Sequence, residues 1–397
     1  MSAAEAETER DDDTVAAEKN WPRSRQRMKT ALHTSLMYLS TFSAFAFFAC
    51  PLFWTLLVYP PLYHRIIEWI VSYWELYPVA LMGIFGPKVL VSGDRIVATE
   101  PAILIMNHRT EVDWMFWWCG MYQACLPRVA VHRLKFILKD PLKHIPGPGW
   151  LMQMGNFVFV KRNWQEDRRS LARSLGHLSV RSPACQLLLF PEGTSYHSST
   201  KRSSDAYAAK MGLPIYRRVL HPRTTGFGFV ARHRSERANL DAVYDITVAY
   251  PDLVPELGVE FLNGKVPKVI HFNVVRIGKD QLPTNEEDLK TWLEERWRLK
   301  ERQLDKFDKY KKFDSEIWPE AKERAPLVAA LIFWTFCSTL LLTLLATSFY
   351  FRLWLLGWSI MCFSASYWTS GLDRLQIQWD SAWTSFVTRN KRRHRCE

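Results

Sequence analysis

The chain carries long uncharged runs near both ends and only short ones in its middle. Residues 31–63 contain no Asp, Glu, Lys or Arg and include FSAFAFFACPLFWTLLVYPPLY. At roughly 20 residues per crossing, that is more than one membrane span and less than two. A second apolar stretch, IIEWIVSYWELYPVALMGIFGP, carries Glu68 and Glu75 seven residues apart, on one helix face. Its expected place is a membrane interface, with Trp69, Trp74 and Tyr77 as anchors. Near the other end, residues 327–351 and 353–372 are uncharged and separated only by Arg352, which predicts a transmembrane hairpin.

Between these runs the apolar segments shorten to strand length: AILIM (102–106), FVFV (157–160), QLLLF (186–190), DITVAY (245–250) and VIHFNVV (269–275). RRSLARSLGHLSVR and EEDLKTWLEERWRLKERQLDKFDKYKK have helical charge patterns. The alternation predicts an α/β fold, a mixed sheet flanked by helices. The expected organisation is a disordered acidic-then-basic arm (1–30), N-terminal re-entrant or transmembrane helices (31–87) and an α/β catalytic domain (88–320). A C-terminal transmembrane hairpin (327–372) and a basic tail (373–397) follow.

Charge narrows the partners. Lys and Arg number 52 against 40 Asp and Glu, a net charge of +12. That suits nucleic acid, an anionic membrane or phosphate-bearing substrates. Zinc-finger spacing and RNP-like aromatic signatures are absent, so nucleic acid is not expected. Arg23, Arg25, Arg27 and Lys29 precede the first apolar stretch, and AKERAP and TRNKRRHR flank the last two. The positive-inside rule then puts both ends and the middle domain on the cytosolic side. Seven scattered cysteines without a C-x-x-C suit a reducing compartment and give no disulfide framework or metal site. The segment HRLKFILKDPLKHIPGPGW alternates Arg133, Lys135, Lys139 and Lys143 with apolar residues, either to rest on anionic lipid or as a solvated helix face.

Four segments carry candidate chemistry. In NHRTEVDW, His108 follows the AILIM strand and Asp113 lies five residues on. A neutral imidazole can take a proton from a hydroxyl while a carboxylate on its other nitrogen fixes the tautomer. In one continuous helix the two side chains would diverge by about 140°, so the pairing requires His108 on the turn before the helix. A capping or packing role for the same residues stands beside this reading. In LLLFPEGTS, Pro191 and Gly193 shape a turn around Glu192, with Thr194 offering a hydroxyl. GNFVFVKRNW sets Lys161 and Arg162 after a strand, where a phosphate could meet them. LHPRTTGF brackets Arg223 between Pro222 and Gly226. Taken singly, each of the last three reads more simply as an ordinary turn or a solvated basic edge.

In order and spacing, NH-x4-D, then Gly155 to Arg162 as G-x6-R, then FPEGT, then a proline-containing fourth block resemble the glycerolipid acyltransferases of the lysophosphatidic acid acyltransferase family. MNHRTEVDWMF, LLLFPEGT, KRSSDAYAAK, VLHPRTTGFGFV and NLDAVYDITVAYP are similar to its lysocardiolipin acyltransferase branch. The resemblance implies a glycerol-3-phosphate acyltransferase-like fold on the endoplasmic reticulum membrane, with acyl-CoA as co-substrate, a lysophospholipid as acceptor and no cofactor. It implies His108 as general base oriented by Asp113. Arg162, Glu192, Gly193 and Thr194 would hold the acceptor's glycerol-phosphate, and Arg223 would serve the acyl-CoA or acceptor pocket. Many members have arginine directly after EGT, where this chain has Ser195; Lys201 or Arg202 would have to compensate. A lipid hydrolase would need a G-x-S-x-G elbow, which is absent, and a metal-dependent enzyme would need H-E-x-x-H or clustered Cys and His, also absent. A non-catalytic scaffold would have no chemical reason to keep His108, Asp113 and Glu192 together.

Overall fold

The computed structural model describes residues 23–126, 133–321, 323–368 and 371–393. The acidic arm up to residue 22 and the last four residues, with Cys396, lie outside them. A seven-stranded sheet is built from β1 (Lys88–Gly93), β3 (Ala102–Met106), β5 (Leu134–Lys139), β6 (Val158–Val160), β7 (Gln186–Leu189), β8 (Ala242–Ala249) and β9 (Val269–Gly278). Two-residue strands β2 (Ile96–Val97) and β4 (Cys125–Leu126) pair separately. The order is β1-β9-β8-β3-β7-β5-β6, with every neighbour parallel except β8 and β9. This is the mixed sheet that the alternation of runs predicts.

The helices in chain order are α1 (Arg23–Ala44), α2 (Cys50–Val58), α3 (Pro60–Phe85), α4 (Asp113–Ala124), α5 (Pro148–Met154), α6 (Trp164–Arg181) and α7 (Ser198–Met211). After these come α8 (Thr224–Ser235), α9 (Gly258–Leu262), α10 (Glu286–Tyr310), α11 (Ala325–Thr347), α12 (Phe349–Trp368) and α13 (Leu372–Arg393). One π-helical segment, Phe45–Ala49, joins α1 to α2.

Strand β3 shows why the AILIM run is uninterrupted: all five of its residues are fully buried. Successive side chains of a strand point to opposite faces. Ala102, Leu104 and Met106 therefore enter one core, with α4, α3 and α1, while Ile103 and Ile105 enter another, with α6, α8 and α10. Burial of each Leu or Ile is worth about 1.5–3 kcal/mol. A one-residue slip would exchange the two faces, so the register of β3 is firmly set.

Several expectations are corrected. Residues Arg23 to Lys29 open α1 as helix and are not part of a disordered arm. Glu68 and Glu75 are buried, and so are Trp74 and Tyr77; Trp74 donates to Ser40 Oγ at 3.1 Å, so this face of α3 meets protein, and only Trp69 is exposed. The HRLKFILK segment contains β5, and Lys135 and Lys143 are buried, which removes them from any lipid-facing surface. The expected tail from 373 onward is mostly α13, docked through Arg181 and Asp380. Among the described residues, Ser24–Val58 and Ala325–Thr347 are long and apolar enough to cross a membrane. The C-terminal apolar run breaks at Ser348, not at Arg352, and α12 falls short of that measure.

Candidate active site

Parallel pairing brings the four sequence segments to one edge. Ile105 lies opposite Leu189 and Met106 opposite Ile246, so β3, β7 and β8 end side by side; β5 and β6 continue the row in the same direction. His108, Glu192, Tyr250 and Arg162 thus all follow carboxyl ends of strands, where open α/β sheets bind ligands.

His108 precedes α4, which begins at Asp113, as the pairing required. His108 Nδ1 lies 3.1 Å from Asp113 Oδ2, with the imidazole 16% exposed and the carboxylate 0%. The Thr110 N–H donates to the same oxygen at 2.9 Å. This turn is held from outside: Thr110 Oγ1 donates to the Pro255 carbonyl, and the Gly258 N–H donates to Glu111 Oε2 at 2.9 Å. Neither Asn107 nor Thr110 caps α4, whose N-cap is Val112 without a side-chain bond. The His108 ring stacks on Phe190 at 4.1 Å. With Nδ1 bound to Asp113, Nε2 is the imidazole nitrogen left for a reacting hydroxyl.

Glu192 does something other than hold a substrate. Only 3% exposed, it accepts the His108 N–H at 3.2 Å and the Trp297 Nε1–H at 3.3 Å on Oε1, and the Leu220 N–H at 3.1 Å on Oε2. It ties the histidine turn to the segment before Arg223. Burial pushes its carboxyl up to about 8, against these donors and with the Asp113 charge adding to the rise. Gly193 has φ +73°, and a Cβ there would meet Arg223 Cδ and Nε at 3.2 Å. The glycine lets the Arg223 side chain lie across the turn. The Arg223 N–H donates to the Pro191 carbonyl at 2.7 Å. Thr194 is half-buried in the same turn, and Ser195 is buried with its carbonyl accepting from Thr200 Oγ1 at 2.8 Å.

Arg162 sits at φ +64°, unusual for a residue other than glycine. Asp167 of α6 braces its turn, accepting from the Lys161 N–H at 2.8 Å and the Asn163 N–H at 3.0 Å. Partial burial lowers the Arg162 pKa, and the like charge of Arg223 lowers it further. Among the described residues neither guanidinium has an acidic partner. Cations near each other without an acidic partner can be met by an anion such as phosphate. Lys161 is paired with Glu166 at 2.9 Å, and Lys201 with Asp205.

A family model described as acyltransferase matches residues 88–251, and another described as acyltransferase C-terminus matches 260–334. Lysocardiolipin acyltransferase 1 of Gallus gallus is 41% identical over 309 residues, covering 75% of this chain and 80% of that protein. The chain belongs to the acyltransferase family. Lysophosphatidylinositol acyltransferase 10 of Caenorhabditis elegans is 38% identical over 60% of this acyltransferase and 61% of the relative. Probable 1-acyl-sn-glycerol-3-phosphate acyltransferase 5 of Arabidopsis thaliana is 33% identical over 71% and 74%.

In this acyltransferase the residues singled out in the sequence, His108, Asp113, Arg162, Gly193, Thr194 and Arg223, come together at one edge of the sheet. Sequence reasoning missed Tyr250, whose hydroxyl donates to Asp113 Oδ1, and Asp167. The end of the DITVAY run, reaching the same sheet edge as AILIM, was the available signal for Tyr250.

Proposed function

We propose that this enzyme transfers a fatty acyl group from acyl-CoA to a free glycerol hydroxyl of a lysophospholipid. The observation that carries the reading is His108, with Nδ1 pinned by a buried carboxylate, next to a turn crossed by the Arg223 guanidinium, whose charge is felt by Arg162, neither arginine having an acidic partner among the described residues. His108 Nε2 takes the hydroxyl proton as that oxygen attacks the thioester carbonyl. The new C–O bond forms, the C–S bond breaks, and the CoA thiolate leaves with the proton returned by the imidazolium. No acyl-enzyme and no cofactor enter. Arg162 and Arg223 hold the acceptor phosphate, Gly193 and Thr194 shape the turn beneath it, and Glu192 keeps the two halves of the site in register.

The acceptor in this reading is of the lysocardiolipin, lysophosphatidylinositol or lysophosphatidylglycerol type, a phosphate bearing a head group. Two things support it. The relatives' names run in that direction, and the position after Thr194 is a buried serine whose nearest lysine, Lys201, is already committed to Asp205. The reading extends to a multi-pass location in the endoplasmic reticulum membrane with the site facing the cytosol, supported by two span-length helices and the basic flanks of the apolar runs.

The test is transfer of a labelled acyl group from acyl-CoA to a panel of lysophospholipids, lysophosphatidic acid included, by membranes carrying the protein or its His108→Ala variant. Acylation of a head-grouped acceptor by the intact protein alone supports the reading. Preference for lysophosphatidic acid would make it a phosphatidic acid synthase, and equal activity of the two membranes would remove His108 from the chemistry.

A further inference from the structure

Asp113 has two oxygens, and the histidine uses one. Tyr250 follows β8 directly, at the edge where His108 follows β3. The Asn107 side chain extends the pairing of these strands: Nδ2 donates to the Val248 carbonyl at 3.1 Å and Oδ1 accepts the Val248 N–H at 2.8 Å. That bridge fixes where the chain leaves β8, and it delivers the Tyr250 hydroxyl to Asp113 Oδ1 as a donor. Phe116 of α4 meets the Tyr250 ring edge-on at 6.4 Å. Asp113, fully buried, therefore accepts from Thr110 and His108 on one oxygen and from Tyr250 on the other.

We infer that Tyr250 is a positioning residue of the catalytic pair, holding Asp113 in the rotamer that faces His108 and setting the basicity of the imidazole through it. The inference rests on the reading of His108 as general base. A carboxylate that shares its charge among several donors stabilises an imidazolium less than one that faces the imidazole alone. Removing the phenol hydroxyl concentrates that charge on His108 and raises the pH at which the base loses its proton. Burial and the Asp113 charge hold the Tyr250 phenol well above its usual value, so it remains a donor throughout the working range. Of the other titratable groups around His108, Glu192 on its backbone N–H has its carboxyl raised to about 8 by burial and titrates alike in wild type and in the Tyr250 variants, while Arg109 lies over the Tyr196 ring at 4.5 Å and Arg223 across Gly193.

The experiment is the pH profile of kcat/KM for the full-length enzyme in membranes, comparing wild type, Tyr250→Phe and His108→Ala, with thermal melting as the folding control. For Tyr250→Phe the acid limb moves up by about one pH unit, kcat/KM falls roughly threefold at pH 7 and approaches a roughly tenfold loss below about pH 6, and the gap closes toward pH 9. Both KM values stay within about twofold, because the hydroxyl faces Asp113 and not a substrate. A second variant avoids dependence on the phenylalanine fold: 3-fluorotyrosine at position 250, a stronger donor, moves the acid limb down. If Tyr250→Phe folds and its limb stays in place, or if the fluorinated enzyme shows no downward shift, the inference is overturned while the base reading survives. Full activity of His108→Ala would overturn both.

Discussion

His108 with Asp113 and His177 with Asp380 are built from the same atoms, Nδ1 and Oδ2, at 3.1 and 3.3 Å. Their surroundings differ in three respects. His108 is 16% exposed, whereas the His177 side chain is 5% exposed and its Nε2 is buried without a partner. Asp113 takes neutral donors besides its histidine, whereas Asp380 is gripped by Arg181, with Nε on Oδ2 at 2.8 Å and Nη2 on Oδ1 at 2.6 Å. Among the described residues Arg162 and Arg223 have no acidic partner; Arg181, near His177, has its carboxylate. A His-Asp pair is chemistry when its outer nitrogen faces a space prepared for substrate, and a clamp when that nitrogen faces another helix. Here the other helix is α3, whose His64 ring meets His177 edge-on at 4.8 Å. His64, His177 and Asp380 are also groups of the kind that bind metal ions, but both Asp380 oxygens are already engaged by Arg181.

The largest effect that separates the two pairs is on turnover. His108→Ala lowers kcat by about a thousandfold, within the range for loss of a general base, and leaves the melting temperature in place. His177→Ala does the reverse, with a lower melting temperature, a cost of about 1–3 kcal/mol, and turnover per folded molecule within about twofold. Loss of turnover by His177→Ala at an unchanged melting temperature would collapse the distinction.

Next comes the clamp itself. Asp380→Ala leaves Arg181 and His177 facing each other without the carboxylate, and breaking a buried pair in this way costs about 3 kcal/mol or more. The same residue makes a pH test. Burial alone would raise the Asp380 carboxyl, but hydrogen bonds from His177 and Arg181, and their charges, hold it at about 2. Its unfolded value is about 3.9. A depressed carboxyl contributes stability that is fully present above the unfolded value and is lost as pH falls through the folded one. The contribution is on the order of 2 kcal/mol. Melting measured from pH 5 down to pH 2 should therefore show wild type converging on Asp380→Asn; parallel curves would mean that the clamp is not ionic.

The two pairs also show what a sequence carries. His108 and Asp113 lie five residues apart beside an unbroken apolar strand, and that proximity makes them readable. His177 and Asp380 come together only when α13 folds back onto α6, which nothing in TRNKRRHR or the preceding run announces. The β5 strand was hidden for a different reason. Lys135, Lys139 and Lys143 are spaced like one face of a helix, yet Lys135 lies buried in the sheet with its ammonium 5.5 Å from the Phe157 ring centre, and Lys143 reaches Asp140 at 2.7 Å. Period alone does not reveal a buried lysine that has found a partner. Glu192 was misread because its partners are mostly backbone N–H groups from distant segments, and those donors have no letter in the sequence.

The smallest predicted effect tests the guanidinium half of the comparison. Arg162 and Arg181 both reach the solvent, but among the described residues only Arg181 has a carboxylate to answer it. If Arg162 waits for a phosphate, its loss shows in acceptor binding. Alanine is a poor choice there, because φ +64° would add strain. Asparagine tolerates the left-handed region and removes the guanidinium. A hydrogen bond to a charged group is worth about 1.5–3 kcal/mol, so Arg162→Asn should raise the acceptor KM roughly tenfold or more, with the acyl-CoA KM unchanged. Arg181→Asn should lower the melting temperature and leave both KM values alone. If instead Arg162→Asn raises the acyl-CoA KM, the two unpaired guanidiniums serve the donor's phosphates, and the acceptor must be held elsewhere along the same sheet edge.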